Sequence, residues 1–528
     1  MANPQQTNPL IAALLRPEAY PHAATAVELI ETHISWVLLT GVYVYKIKKP
    51  VNFGFLDFST LEKRRFYCKE ELRLNQRFSR EIYLEVVPVT GNPSMPQMDG
   101  EGPAIEYAVK MRQFAAGSLL SERAERGQLN RDDIDGIATA LGAFHRTALI
   151  ADADSDFGAP QTIRHWCEEN FDHIAPLMRD ASSEMPPVER LQAWVREEWQ
   201  RKSGIMEQRR QQGLVRECHG DLHLGNIARI DDRITPFDCI EFNPMLRWID
   251  VISEIAFVLM DLDYRGFDSF SWRLLNAYLQ QTGDYAGLQV LRYYLAYRAL
   301  VRAKVALLSE QQLTDDGARR HKHEEFARHI ALALRYTEAG RPLLLLTHGF
   351  SGSGKSFHAA RLAEETGAIH LRSDIERKRL FGFAALDNTG SAAQDGIYTA
   401  AAGVWTYQHL ADMAAIALQA GFHVIVDATF LQRKQRELFY NMAQHLAVPL
   451  RVVDFTADVA TLQLRIAQRR QLQNDASEAT VEILERQLAT AEAFDSREGE
   501  YIIAVDTEQP RAHTQLLEQI YALLQTGG

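Results

Sequence analysis

Two stretches of this chain space their residues in a way that handles phosphate. In the first, Gly349-Phe350-Ser351-Gly352-Ser353-Gly354-Lys355-Ser356 fits G-x-x-x-x-G-K-[ST], after an apolar run and before a helical pattern. Glycines let the backbone curl around an anion, so the N–H groups of Gly349, Ser351, Gly352, Ser353 and Gly354 can point inward. The helix N-terminus adds partial positive charge. Lys355 would neutralise the β- and γ-phosphates of ATP, and the Ser356 hydroxyl would ligate Mg²⁺.

The second stretch, Glu217-Cys218-His219-Gly220-Asp221-Leu222-His223-Leu224-Gly225-Asn226, contains H-G-D-x-x-x-x-N. At that offset a carboxylate and an amide serve one phosphoryl group. Asp221 would orient or accept a hydroxyl proton, and Asn226 would bind a metal ion. Asp238, in Pro236-Phe237-Asp238-Cys239, sits where a second Mg²⁺ ligand is needed.

Further acids and arginines follow the glycine-rich loop. Arg372-Ser373-Asp374 ends a strand-like run, and an Asp there faces the crevice at the carboxyl end of a parallel sheet. It suits proton acceptance or Mg²⁺ binding; the structural alternative is an N-cap for a helix over Ile375–Phe381. Asp427 ends another such run, suited to metal or substrate positioning or to a cap. Arg465 and Arg469, at i and i+4, share one helix face before the polar stretch Gln471–Glu478. They would close over phosphates or form a solvated face.

The elements that must hold these residues differ between the halves. Val42–Ile47, Tyr83–Val89 and Ile105–Met111 read as strands around an amphipathic helix over Leu61–Phe78. Residues 120–215 and 249–340 read as mostly helical, and Gly340-Arg341-Pro342 breaks the pattern. Beyond it, strands at Leu343–His348, Ala368–Ser373, Phe422–Asp427, Leu450–Phe455 and Tyr501–Val505 alternate with helices, which predicts a parallel α/β sheet. The expected domains are therefore 1–340 and 341–528.

Composition bounds the rest. With 46% apolar and 24% charged residues the chain reads as globular. The net charge of −12 weighs against duplex nucleic-acid binding. Four scattered cysteines lack a C-x-x-C pair, which argues against a zinc site or a stapled secreted fold. No stretch approaches a membrane span and the start lacks a signal pattern, so a cytoplasmic enzyme is expected.

Residues Gly349 to Val505 resemble small P-loop kinases of the AAA_33 type, a group similar to polynucleotide 5′-hydroxyl kinases, gluconate kinases and zeta toxins. That likeness implies Asp374 as activator of the acceptor hydroxyl and Arg465 and Arg469 as lid arginines on ATP; Asp475–Ala479 matches the lid region. It leaves nucleic-acid ends or nucleotide sugars open as acceptors. The H-G-D-x-x-x-x-N loop, with Leu141–His145 and Trp248-Ile249-Asp250, resembles the aminoglycoside phosphotransferase family and its protein-kinase-like fold. This resemblance implies Lys46, or Lys48, as the strand lysine on the phosphates and Glu71, or Glu70, as its partner. It departs from protein kinases in having only Thr40-Gly41 in place of a glycine-rich loop. Together the halves look like proteins grouped as bifunctional aminoglycoside phosphotransferase/ATP-binding proteins. The implied activity is ATP- and Mg²⁺-dependent phosphorylation of a small-molecule hydroxyl acceptor; the implied fold is a protein-kinase-like domain ahead of a P-loop α/β domain. One of the two domains could instead bind ATP only as a regulatory module.

Overall fold

The structure, a computed structural model, describes residues 8–54, 56–178, 188–338, 340–385, 387, 389, 397, 399–472 and 476–526. Residues 1–7, at the start of the chain, and 473–475, in the polar stretch with Asp475, lie outside the described residues. By packing, the chain forms two compact units. One comprises residues up to 136 with 143–163 and 207–258; the other comprises 137–142, 164–206 and 259 onward.

In the first unit six antiparallel strands lie in the order β1-β2-β3-β6-β4-β5. They are β1 (Glu28–Glu31), β2 (Ser35–Leu39), β3 (Tyr43–Lys48), β4 (Tyr83–Asn92), β5 (Met95–Met98) and β6 (Glu106–Arg112). Side chains alternate along a strand, and β3 uses this fully. Tyr45 and Ile47 join Leu38, Val87, Val89 and Ala108 in an apolar cluster with Ile11 and Leu14. Fully burying an Ile or Leu contributes roughly 1.5–3 kcal/mol each. Lys46 and Lys48 therefore project from the opposite face, where the helix Leu61–Asn75 buries Cys68 and Glu71. Thr60 caps that helix by accepting the Lys63 N–H.

Two short two-stranded antiparallel sheets frame the H-G-D loop. β7 (Val215–Glu217) pairs with β10 (Trp248–Asp250), and β8 (Ile227–Ile230) pairs with β9 (Arg233–Pro236). Asp250 accepts both Arg209 Nε and Nη2 at 2.7 and 2.8 Å in a buried pair.

In the second unit five parallel strands lie in the order β12-β13-β11-β14-β15. They are β11 (Leu344–His348), β12 (Ala368–Arg372), β13 (His423–Asp427), β14 (Leu450–Thr456) and β15 (Ile502–Asp506). A sheet covered on both faces needs apolar residues at nearly every position, which is why these runs were legible. The flanking helices Lys355–Thr366 and Ala512–Thr526 supply Ala359, Leu362, Leu516 and Ile520 to one core. The edge strand β12 is met by a side chain of the helix Asp268–Thr282. Asn276 donates Nδ2–H to the Ala368 carbonyl at 2.9 Å and accepts the His370 N–H at 2.7 Å. One amide thus answers the free edge in place of a further strand.

Candidate active sites

At the first site, β3 and the helix Leu61–Asn75 bring the implied pair together. Lys46 Nζ lies 2.8 Å from Glu71 Oε1 and pairs with Asp238. Lys48, the alternative, reaches Glu71 Oε2 at 2.7 Å and pairs with Glu241. Glu70, the reserve, faces Arg73 and Arg247 instead. The Asp238 carboxylate is 42% exposed and Lys46 11%, whereas Lys48 and Glu71 are fully buried. Of the two lysines, Lys46 is the one that retains some exposure and pairs with the exposed Asp238.

Asp238 has φ of 65°, a left-handed conformation rare outside glycine. Three contacts hold it there. The Asp238 N–H donates to the Tyr83 hydroxyl at 3.0 Å, the Cys239 N–H donates to Asn75 Oδ1 at 3.0 Å, and His219 Nε2 lies 2.7 Å from the Phe237 carbonyl. Such strain persists where the surroundings over-determine it, and it recurs at functional sites. Asn226 donates Nδ2–H to the Asp221 carbonyl at 2.9 Å and to its carboxylate at 3.3 Å, which places the two loop residues together.

Glu254 anchors this loop, a role sequence reasoning missed. Its two oxygens accept the N–H groups of His219 at 2.7 Å and Gly220 at 2.9 Å. Burial works to raise its pKa, but the His145 and His219 imidazoles and the His219 amide outweigh that and hold it at about 2. The signal was a lone carboxylate within the apolar run Val251–Met260. Where a protein kinase has its glycine-rich loop, β2 and β3 are joined by a tight turn: the Thr40 N–H donates to the Tyr43 carbonyl at 2.9 Å, and Gly41 has φ of 91°.

At the second site the loop after β11 opens a cavity of about 620 Å³, lined by Ser351, Lys355, Ser356, Asp374, Asp427 and Arg469 among others. Gly349 has φ of 131°, and a Cβ there would lie 2.4 Å from the Phe455 carbonyl oxygen; at Gly352 it would lie 2.6 Å from that of Leu462. Only glycine lets the loop pass that close. Lys355 Nζ donates to the Phe350 carbonyl at 2.7 Å, and the Ser351 N–H is taken by Gln487 Oε1 at 2.9 Å. Gln487, from the helix Val481–Thr490, was not singled out in the sequence.

The electrostatics of this cavity follow from its acids. Burial works to raise Asp427, yet hydrogen bonds from His370 and Ser356 and the nearby Arg372 hold it at about 2. A hydroxyl bonded to an ionised carboxylate is a hard oxygen pair of the kind Mg²⁺ takes, so Ser356 and Asp427 fit that ion. At the first site the Phe237 N–H donates to the Asn226 carbonyl at 3.0 Å, which brings the segment of Asp238 beside that of Asn226. Burial lowers Lys355 to about 8, with Asp427 and Asp374 opposing it.

Asp374 lines the cavity but is no cap. The helix runs Ser373–Leu380, Arg372 stands at its N-cap position without a side-chain cap bond, and Asp374 lies in the first turn, 4.0 Å from Arg377. The two arginines separate. Arg469 reaches the cavity wall, and its buried Nη2 meets no hydrogen-bond partner among the described residues. Arg465 is not brought to that lining: its guanidinium donates to Thr507 Oγ1 at 2.8 Å and to the Thr507 carbonyl at 3.2 Å. It braces the loop from behind. All four cysteines are buried and free, and no helix among the described residues is long and apolar enough to cross a membrane.

Residues 344–494 match the AAA_33 family model, described as an AAA domain. An uncharacterized protein of Mycobacterium tuberculosis (strain H37Rv) is 29% identical over 496 residues, 92% of this chain and 93% of its own length. A gluconokinase from Sinorhizobium meliloti 1021 is 22% identical, with 35% of this chain and 98% of that one covered, at a TM-score of 0.25. A choline kinase from Cryptosporidium parvum Iowa II is 11% identical, with 62% and 95% covered, at 0.38. One unit thus carries a lysine–glutamate pair on an antiparallel sheet, and the other a glycine-rich loop on a parallel sheet, within the residues 344–494 that match the AAA_33 model.

Proposed function

We propose that the protein is an ATP- and Mg²⁺-dependent phosphotransferase with two nucleotide sites, each phosphorylating a hydroxyl of a small molecule, and with 1–340 and 341–528 as its catalytic domains. One observation supports this most: Lys355, Asp427 and Asp374 line one cavity in the second unit, and in the first Lys46 pairs with Asp238 while the Phe237 N–H donates to the carbonyl of Asn226, whose amide holds Asp221.

In this reading Lys46 holds the α- and β-phosphates and Lys355 the β- and γ-phosphates. Asp221 and Asp374 orient the acceptor hydroxyl and take its proton as the oxygen–phosphorus bond forms and the bond to ADP breaks. Arg469 stabilises charge on the transferring group, and Arg465 keeps the glycine-rich loop in shape. Bound Mg²⁺ would neutralise phosphate charge. Because transfer needs little covalent chemistry from the protein, positioning and electrostatics carry the rate.

The test is a phosphorylation screen of a metabolite extract with labelled ATP, using wild type beside Asp221→Ala and Lys355→Ala. Each variant is expected to lose a different subset of labelled products. If neither lowers phosphoryl transfer, the proposal fails.

The second site also carries a pH signature. Lys355 is charged below about 8, and a polyphosphate favours the charged form. Nucleotide affinity should therefore fall as pH rises through about 8. In Lys46→Ala, calorimetry in buffers of different ionisation enthalpy should show proton uptake on binding Mg·ADP at pH 9 and little at pH 7. Equal uptake at both would contradict the assignment.

A further inference from the structure

We infer that Lys48 and Glu241 are positioning residues of the first site, holding Glu71 in place so that Lys46 can exchange Asp238 for nucleotide phosphate. The inference rests on the reading of that site as a nucleotide site. A strand's period of two puts Lys46 and Lys48 on one face, and both close on the same carboxylate: Glu71 Oε1 lies 2.8 Å from Lys46 and Oε2 lies 2.7 Å from Lys48.

The two lysines differ in what they can reach. Lys48 is fully buried, sits over the Phe58 ring at 4.9 Å, and has as its other ionic partner Glu241, whose side chain is 5% exposed. The Arg247 guanidinium fixes the backbone at Glu241 by donating to its carbonyl at 3.2 Å. Lys48 cannot meet a ligand. Lys46 and the half-exposed Asp238 can.

Sharing matters because of charge. A lysine that turned to phosphate while holding the sole claim on Glu71 would leave a fully buried carboxylate without a cation, which is costly. Here Lys48 keeps Glu71 compensated throughout, and Glu241 compensates Lys48. Lys46 is thereby released from a structural duty. The pair acts on the nucleotide only through Glu71 and Lys46.

The experiment uses the full chain carrying Lys355→Ala, so that the P-loop site is silent, with the non-hydrolysable probe Mg·AMPPNP in titration calorimetry and thermal unfolding alongside. Lys48→Gln should weaken the probe at least tenfold, and Lys48→Arg should restore most of that. The double variant Lys48→Met/Glu241→Met removes both buried charges, so it should unfold close to the parent temperature while still binding at least tenfold more weakly. Parent-like binding by Lys48→Gln or by the double variant would overturn the inference and reduce the pair to packing. Absence of binding by the Lys355→Ala parent itself would overturn the first-site reading, and this inference with it.

Discussion

Asp221→Asn should lower turnover at the first site by about 10²–10⁴, the usual contribution of a positioned general base, with nucleotide affinity changed less than twofold. Asparagine keeps the shape of the loop: the bond from Asn226 Nδ2 to the Asp221 backbone carbonyl at 2.9 Å does not involve the carboxylate. Glu254 still holds the amides of His219 and Gly220. What is lost is a group that can take a proton. Steady-state kinetics in the Lys355→Ala background, with an acceptor from the labelled-ATP screen, would read this as a fall in kcat with the KM for ATP unchanged. Turnover above a tenth of the parent's would remove Asp221 from the chemistry.

Gly349→Ala should be the most damaging single methyl in the second unit. Its Cβ would sit 2.4 Å from the Phe455 carbonyl oxygen and 3.0 Å from Ser353 Oγ, at a φ of 131°. Backbone strain of this kind costs of order 1–3 kcal/mol, and overpacking adds about 1–3 kcal/mol more. Since Phe455 belongs to β14, a central neighbour of β11 in the sheet, the loop rather than the strand must yield, and the cradle opens. Gly354→Ala makes the control. Its φ is 88°, but the nearest atom to a Cβ is 3.6 Å away, so it should pay strain without collision. Urea unfolding should show the larger loss for Gly349→Ala, with nucleotide binding at that site reduced at least a hundredfold. Equal effects would mean that contact with Phe455 does not set the loop.

The parallel sheet was legible because a strand buried on both faces is written as an apolar run, and each run was placed to within a residue or two: Leu343 and Phe422 fall just outside their strands and Asp506 just inside. The choice between Lys46 and Lys48 was not legible. Period-two alternation gives them the same face, and only the exposure of Asp238 against the burial of Glu241 separates them. Arg465 and Arg469 share a helix face in sequence, yet Thr507, 42 positions away, claims Arg465. A long-range partner leaves no local trace. Asp374 could be read as a cap because Asp is a good one; the helix simply begins two residues earlier. Gln487 left no signal, since an exposed-looking glutamine on a polar helix is ordinary until the Ser351 amide is placed beside it.

Titration calorimetry with Mg·AMPPNP addresses the two-site claim most directly. Wild type should bind two equivalents per chain, Lys355→Ala and Lys46→Ala one each, and the double variant none. Binding of a single equivalent by wild type, or loss of both equivalents in either single variant, would contradict the account.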